Sequence, residues 1–157
     1  MTKPAILALA DGSIFRGEAI GADGHTIGEV VFNTAMTGYQ EIMTDPSYAS
    51  QIVTFTFPHI GNTGVTPEDD EAPDPVAAGI VVKWDPTEPS NWRATSDLAD
   101  WMERRGRIGI GGIDTRRLTT LLREKGAQGG AILTGADATV EKAQELITAF
   151  GSMVGKD

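Results

Sequence analysis

Ser47, His59 and a carboxylate at Asp45 or Glu41 are the residue types of a hydrolytic triad. Such a triad needs a hydroxyl nucleophile, a base to take its proton and an acid to orient the base, and its chemistry is acyl transfer on an ester or amide. The serine stands in D-P-S-Y, not in a G-x-S-x-G elbow. With two histidines in the chain, His25 and His59, the triad would require His59 as its base. A metal site has less to build on, since there is no H-x-x-x-H and no cysteine. The run GRIGIGGIDT could aim backbone N–H groups at an anion ahead of a helix. It has no P-loop lysine and is out of frame with G-x-G-x-x-G, so close backbone packing at a strand-to-helix turn is the simpler account.

The richest polar stretch is NTAMTGYQEIMTDPSYASQ, residues 33–51. Asp45-Pro46-Ser47-Tyr48 fits a type I turn, with proline setting the first central position. The surrounding hydroxyls and amides exceed what a turn needs, which leaves both a loop scaffold and a ligand contact open. TPEDDEAPDP lacks the ligand spacing and glycine turn of a calcium loop and reads as a solvated connection.

The elements that must position these residues follow from periodicity. Ala5–Ala10 and Ser13–Ile20 flank Asp11-Gly12 as a β-hairpin, and Ile27–Phe32 is a third strand after the Gly21–Gly24 break. QIVTFTFP is a strand with Val53, Phe55 and Phe57 on its buried face and Ile52, Thr54 and Thr56 opposite. The apolar run Val76–Trp84 predicts a strand covered on both faces. Ser96 caps a helix with Leu98, Trp101 and Met102 inward, and Ile108–Ile110 is a short strand. Asp114 caps the clearest helix, with Ile113 and Leu118 as a hydrophobic staple, Leu118, Leu121 and Leu122 inward, and Gly126 just past its end. Gly129–Thr134 is the last strand; Thr139 or Asp137 caps a final helix with Val140, Ala143, Leu146, Ile147 and Phe150 inward. A strand-rich first half implies antiparallel pairs, and the helices of the second half imply crossovers for parallel ones. Two sheets with helices over one of them are expected.

At 157 residues the chain can bury about 70% of its unfolded surface without a disulfide or metal. A net charge of −9 argues against nucleic acid as partner, because phosphate binding rests on cations. The local basic clusters, ERRGR and Arg116–Arg117, read first as solvated helix faces and second as a partner-docking patch. No run reaches the roughly 20 apolar residues of a membrane span. The opening block is too short for a typical signal peptide and there is no cysteine, so a cytoplasmic location is expected.

FNTAMTGYQEIMTDPSYASQIVTFTFPHIGNTG (32–64), LADGSIFRGEAIG, EPSNWRATSDLADWM and GIGGIDTRRLTTLLREKGAQGGAIL closely resemble the N-terminal domain of the small subunit of glutamine-dependent carbamoyl-phosphate synthetase. The resemblance covers nearly the whole chain in order. It implies an α/β fold, a swivelling β/β/α three-layer domain with mixed parallel and antiparallel sheets, over 1–151, with 152–157 starting a linker to a class I glutamine amidotransferase domain. In that family the second domain hydrolyses glutamine with a cysteine. Ammonia then passes to a large subunit that uses ATP and magnesium, and the product feeds arginine and pyrimidine synthesis. The resemblance implies Ser47 as a glutamine contact and puts Ala35, Met36 and Asp45 near the ammonia path. It makes the large subunit and the amidotransferase domain partners, with glutamine a shared ligand. A chain without cysteine is expected to be inactive alone, with no catalytic residue, metal or cofactor of its own. Two other classes remain: a serine hydrolase built on Ser47 and His59, and an isolated small-ligand module.

Overall fold

Among the described residues, short apolar-rich runs form seven strands, and every one finds two neighbours. The computed structural model describes residues 3–33, 45–55, 77–82 and 100–154, the side chains through 149. In it β1 (Pro4–Leu9), β2 (Ile14–Gly21), β3 (Gly24–Asn33), β4 (Gln51–Phe55), β5 (Gly79–Val82), β6 (Ile108–Gly111) and β7 (Gln128–Thr134) close in the order β1-β2-β6-β5-β4-β3-β7. Closure leaves no strand edge to be covered. The pairs β3–β4, β4–β5 and β5–β6 are parallel, while β1–β2, β1–β7, β2–β6 and β3–β7 are antiparallel.

This is an α/β fold with mixed pairing, as expected, but the pairs sit elsewhere and in one sheet. The parallel pairs belong to the middle strands, and β7 pairs antiparallel on both sides. Local patterning names a strand without naming its neighbours. Because β7 lies between β1 and β3, and β6 between β2 and β5, the two sheets expected are a single barrel.

A small barrel is filled by its own side chains. Leu7, Leu9, Phe15, Val30, Ile52, Val81, Ile108, Ile110 and Ile132 form that interior. Hence Ile52 and Thr54, expected on the open face of their strand, are fully buried like Val53 and Phe55, since both faces of β4 are covered. Phe57 lies outside the described residues. The expectation for β5 holds, with all four residues buried.

Among the described residues, three helical segments cover the barrel. Residues 100–104 lay Trp101 and Met102 against Val53 and Phe55 of β4, Ile80 and Val82 of β5 and Ile20 of β2. Helix α1 (Thr115–Lys125) sends Leu118 and Leu122 into the interior cluster beside Ile113, so it plugs the barrel. Asp114 caps it by accepting from the Arg117 N–H at 3.0 Å, and Gly126 follows with φ 81°. Helix α2 (Val140–Val154) packs Val140, Ala143, Leu146 and Ile147 on Ile6, Ala8, Ala131 and Leu133. Its cap is Thr139, whose Oγ1 accepts from the Lys142 N–H at 3.2 Å. Asp137 instead faces His25 Nδ1 at 3.2 Å. Among the described residues no helix is long and apolar enough to cross a membrane.

Candidate functional site

Parallel neighbours cannot be joined by a tight turn, so β3 and β4 require the crossover at 34–50. Its last part is described. Asp45 is extended, Pro46–Tyr48 form one 3₁₀ turn, and the Tyr48 N–H donates to the Asp45 carbonyl at 3.0 Å, as the type I turn predicts. The Asp45 carboxylate bends over the turn and its Oδ1 accepts from the Ser47 N–H at 2.9 Å. That engagement is what aspartate ahead of proline does best.

Ser47 is exposed while Tyr48, next to it, is half-buried. The Tyr48 ring packs on the cluster containing Val53, Phe55 and Trp101, and its hydroxyl oxygen accepts from Asn33 Nδ2. Asn33 is the last residue of β3, paired with Phe55 of β4. The hydrogen bond therefore joins both ends of the crossover. Beyond the turn, Ala49 bridges to Ala77, and Ser50 has φ 64°. Ser50 is the sole non-glycine residue with positive φ among those described. Such a conformation costs an ordinary side chain energy and persists where surrounding contacts enforce it.

The arrangement presents one hydroxyl, with a donor and two acceptor positions, on a turn tied to the barrel. That can fix one polar end of a small ligand. It cannot activate a nucleophile by itself. Ala35, Met36, Glu41 and His59 lie outside the described residues, so of the expected site Ser47 and Asp45 are placed and brought together. Asn33 and Tyr48 both stand within the polar stretch, Tyr48 as the last residue of the turn, but nothing local pairs residues so far apart across a crossover.

The glycine run resolves as packing. A Cβ at Gly109 would stand 2.9 Å from Ile80 Cγ1, and one at Gly111 2.8 Å from Ile20 Cδ1. The N-terminus of α1 is already engaged by the Asp114 carboxylate. Among the described residues no group of three His, Cys, Asp or Glu side chains is placed to hold a metal. The basic clusters lie partly on rings: the Arg117 guanidinium carbon is 4.4 Å from the centroid of Phe15, and that of Arg105 5.9 Å from that of Trp101.

Comparison with known proteins supplies what one turn cannot. Residues 7–132 match the family model described as "Carbamoyl-phosphate synthase small chain, CPSase domain". The chain belongs to the carbamoyl-phosphate synthase small-chain family. It is 68% identical over all 157 residues to the carbamoyl phosphate synthase small chain of Pseudomonas aeruginosa, covering 42% of that protein. Against the same protein of Neisseria meningitidis serogroup A the identity is 66%, again over 157 residues and 42% of the relative. The chain thus spans about two-fifths of the length of these relatives and corresponds to the N-terminal part of the small chain. A solved aminopeptidase from Aneurinibacillus sp. strain AM-1 aligns with a TM-score of 0.47 at 15% identity, over 86% of this chain and 30% of its own.

Proposed function

We propose that this chain is a non-catalytic scaffold and interaction domain of a carbamoyl-phosphate synthase, bordering the glutamine site and the path of ammonia. The observation that carries the reading is the 68% identity to a small chain across every residue. Ser47 contacts glutamine through its hydroxyl, and Asp45, with Ala35 and Met36, lies near the ammonia path. The thiolate that attacks the carboxamide is supplied from outside these 157 residues, which contain no cysteine. The large subunit, which uses ATP and magnesium in this family, and the amidotransferase domain are its partners. The setting is the cytoplasm, with carbamoyl phosphate passing to arginine and pyrimidine synthesis.

An exposed turn fits this role. One serine in open water cannot hold an amino acid, but at a junction between domains it can complete a pocket built mainly by the other side. Size-exclusion chromatography of the chain with the amidotransferase domain and large subunit tests the assembly. Co-elution with both, and no ammonia release from glutamine by the chain alone, is the expected result. Glutamine hydrolysis by the isolated chain near the rate of the whole assembly would overturn the reading, as would its failure to join the other two.

A further inference from the structure

Three hydrogen bonds around Ser47 are local to the turn: Ser47 N–H to Asp45 Oδ1, Tyr48 N–H to the Asp45 carbonyl, and Ala49 N–H to the Pro46 carbonyl. They set the shape of the turn but not where it sits on the barrel. Placement has other sources. One is the Tyr48 ring against the outer cluster, and another is the bridge from Ala49 to Ala77. The third is the hydrogen bond from Asn33 Nδ2 to the Tyr48 hydroxyl. Burial of the ring is favoured in proportion to the apolar area covered and imposes no bond direction. A hydrogen bond is directional, weakening steeply as its angle departs from linear. Its anchor is also firm: Asn33 ends a strand paired with β4 through five successive positions.

We propose that Tyr48 is a positioning residue for Ser47: its hydroxyl, held by Asn33, fixes the turn at the place where the Ser47 hydroxyl meets the ligand. The inference rests on the reading of Ser47 as a glutamine contact. Ser47 and Tyr48 are neighbours in a single 3₁₀ turn, so movement of one carries the other. A hydroxyl contributes to binding only within a few tenths of an ångström of hydrogen-bond distance. Releasing the Tyr48 end lets the turn drift along the barrel and spreads Ser47 over positions that miss its partner.

The test uses the complete small chain assembled with its large subunit and reads glutamine kinetics for Tyr48→Phe, Ser47→Ala and the double variant. Tyr48→Phe keeps the ring and its packing and removes only the hydroxyl. The expected result is a glutamine KM raised about three- to tenfold by Tyr48→Phe with kcat retained, the effect of one lost hydrogen bond. Ser47→Ala raises KM at least as far, and the double variant is no worse than Ser47→Ala, because Tyr48 acts through Ser47. Multiplying effects in the double variant would overturn the proposal. So would an unchanged KM for Tyr48→Phe beside a raised one for Ser47→Ala, which would leave the glutamine reading standing. An unchanged KM for Ser47→Ala would remove that reading and the positioning role together.

Discussion

Gly28 shows how much of the site depends on one missing carbon. It faces the barrel interior from β3, and a Cβ there would stand 2.5 Å from the Ser50 carbonyl oxygen and 3.3 Å from Ala78 Cβ. The obstruction is backbone, which cannot swing aside as a side chain would. Ser50, at φ 64°, has little freedom to absorb a shift. Gly28→Ala should therefore destabilise the fold by about 1–3 kcal/mol, the usual range for overpacking, read as a lower urea midpoint at unchanged slope. An unaltered midpoint would mean that the Ser50 segment yields, and the close approach would lose its structural importance. The turn itself was legible because aspartate and proline carry local preferences that act wherever they stand. The Tyr48–Asn33 contact and the positive φ of Ser50 were not, since each is imposed by the path of the surrounding chain.

At the scale of elements, α1 was read correctly down to its cap because every signal there is local. Asp114 is followed three residues later by the N–H it accepts, and Ile113 and Leu118 meet as a staple in one cluster. What the sequence did not disclose is that this stripe enters the barrel. Helix patterning reports a buried face, not what it is buried against. The same limit explains why β4 was assigned one covered face when it has two. Leu118, fully buried among interior residues, and Leu121, partly exposed, test the plug directly. Leu118→Ala should cost about 2–5 kcal/mol, as a truncation whose cavity cannot collapse, and Leu121→Ala clearly less. Equal losses by chemical denaturation would show that α1 lies on the surface and does not close the barrel.

For the whole molecule, the barrel is a ring that ends where β7 returns beside β1, and the β1–β2 turn is fastened at that seam. The Ala10 N–H donates to the Gly129 carbonyl, and the Asp11 N–H to Gln128 Oε1 at 2.9 Å. Asp11 Oδ1 accepts from the Ser13 N–H at 2.8 Å, and its Oδ2 lies 3.2 Å from Lys125 Nζ at the end of α1. One carboxylate thus ties the first turn of the chain to the helix that plugs the barrel, a junction invisible to any reading of local pattern. Burial pushes the Asp11 carboxyl upward, but the bonds from Ser13 and the Lys125 ammonium outweigh it and hold it below the usual carboxylate range. A carboxyl depressed in the folded state adds stability that is fully present above its unfolded value, about 3.9. That contribution falls away as pH drops through the lower folded value, because the folded state then takes up the proton it had resisted. Asp11→Asn can keep an acceptor for the Ser13 N–H while removing the charge. Wild type should therefore melt above Asp11→Asn at pH 7, and the gap should narrow as the pH is taken from about 4 toward 2. A gap that stays constant through that range would mean that the Asp11 charge plays no part in fastening the seam.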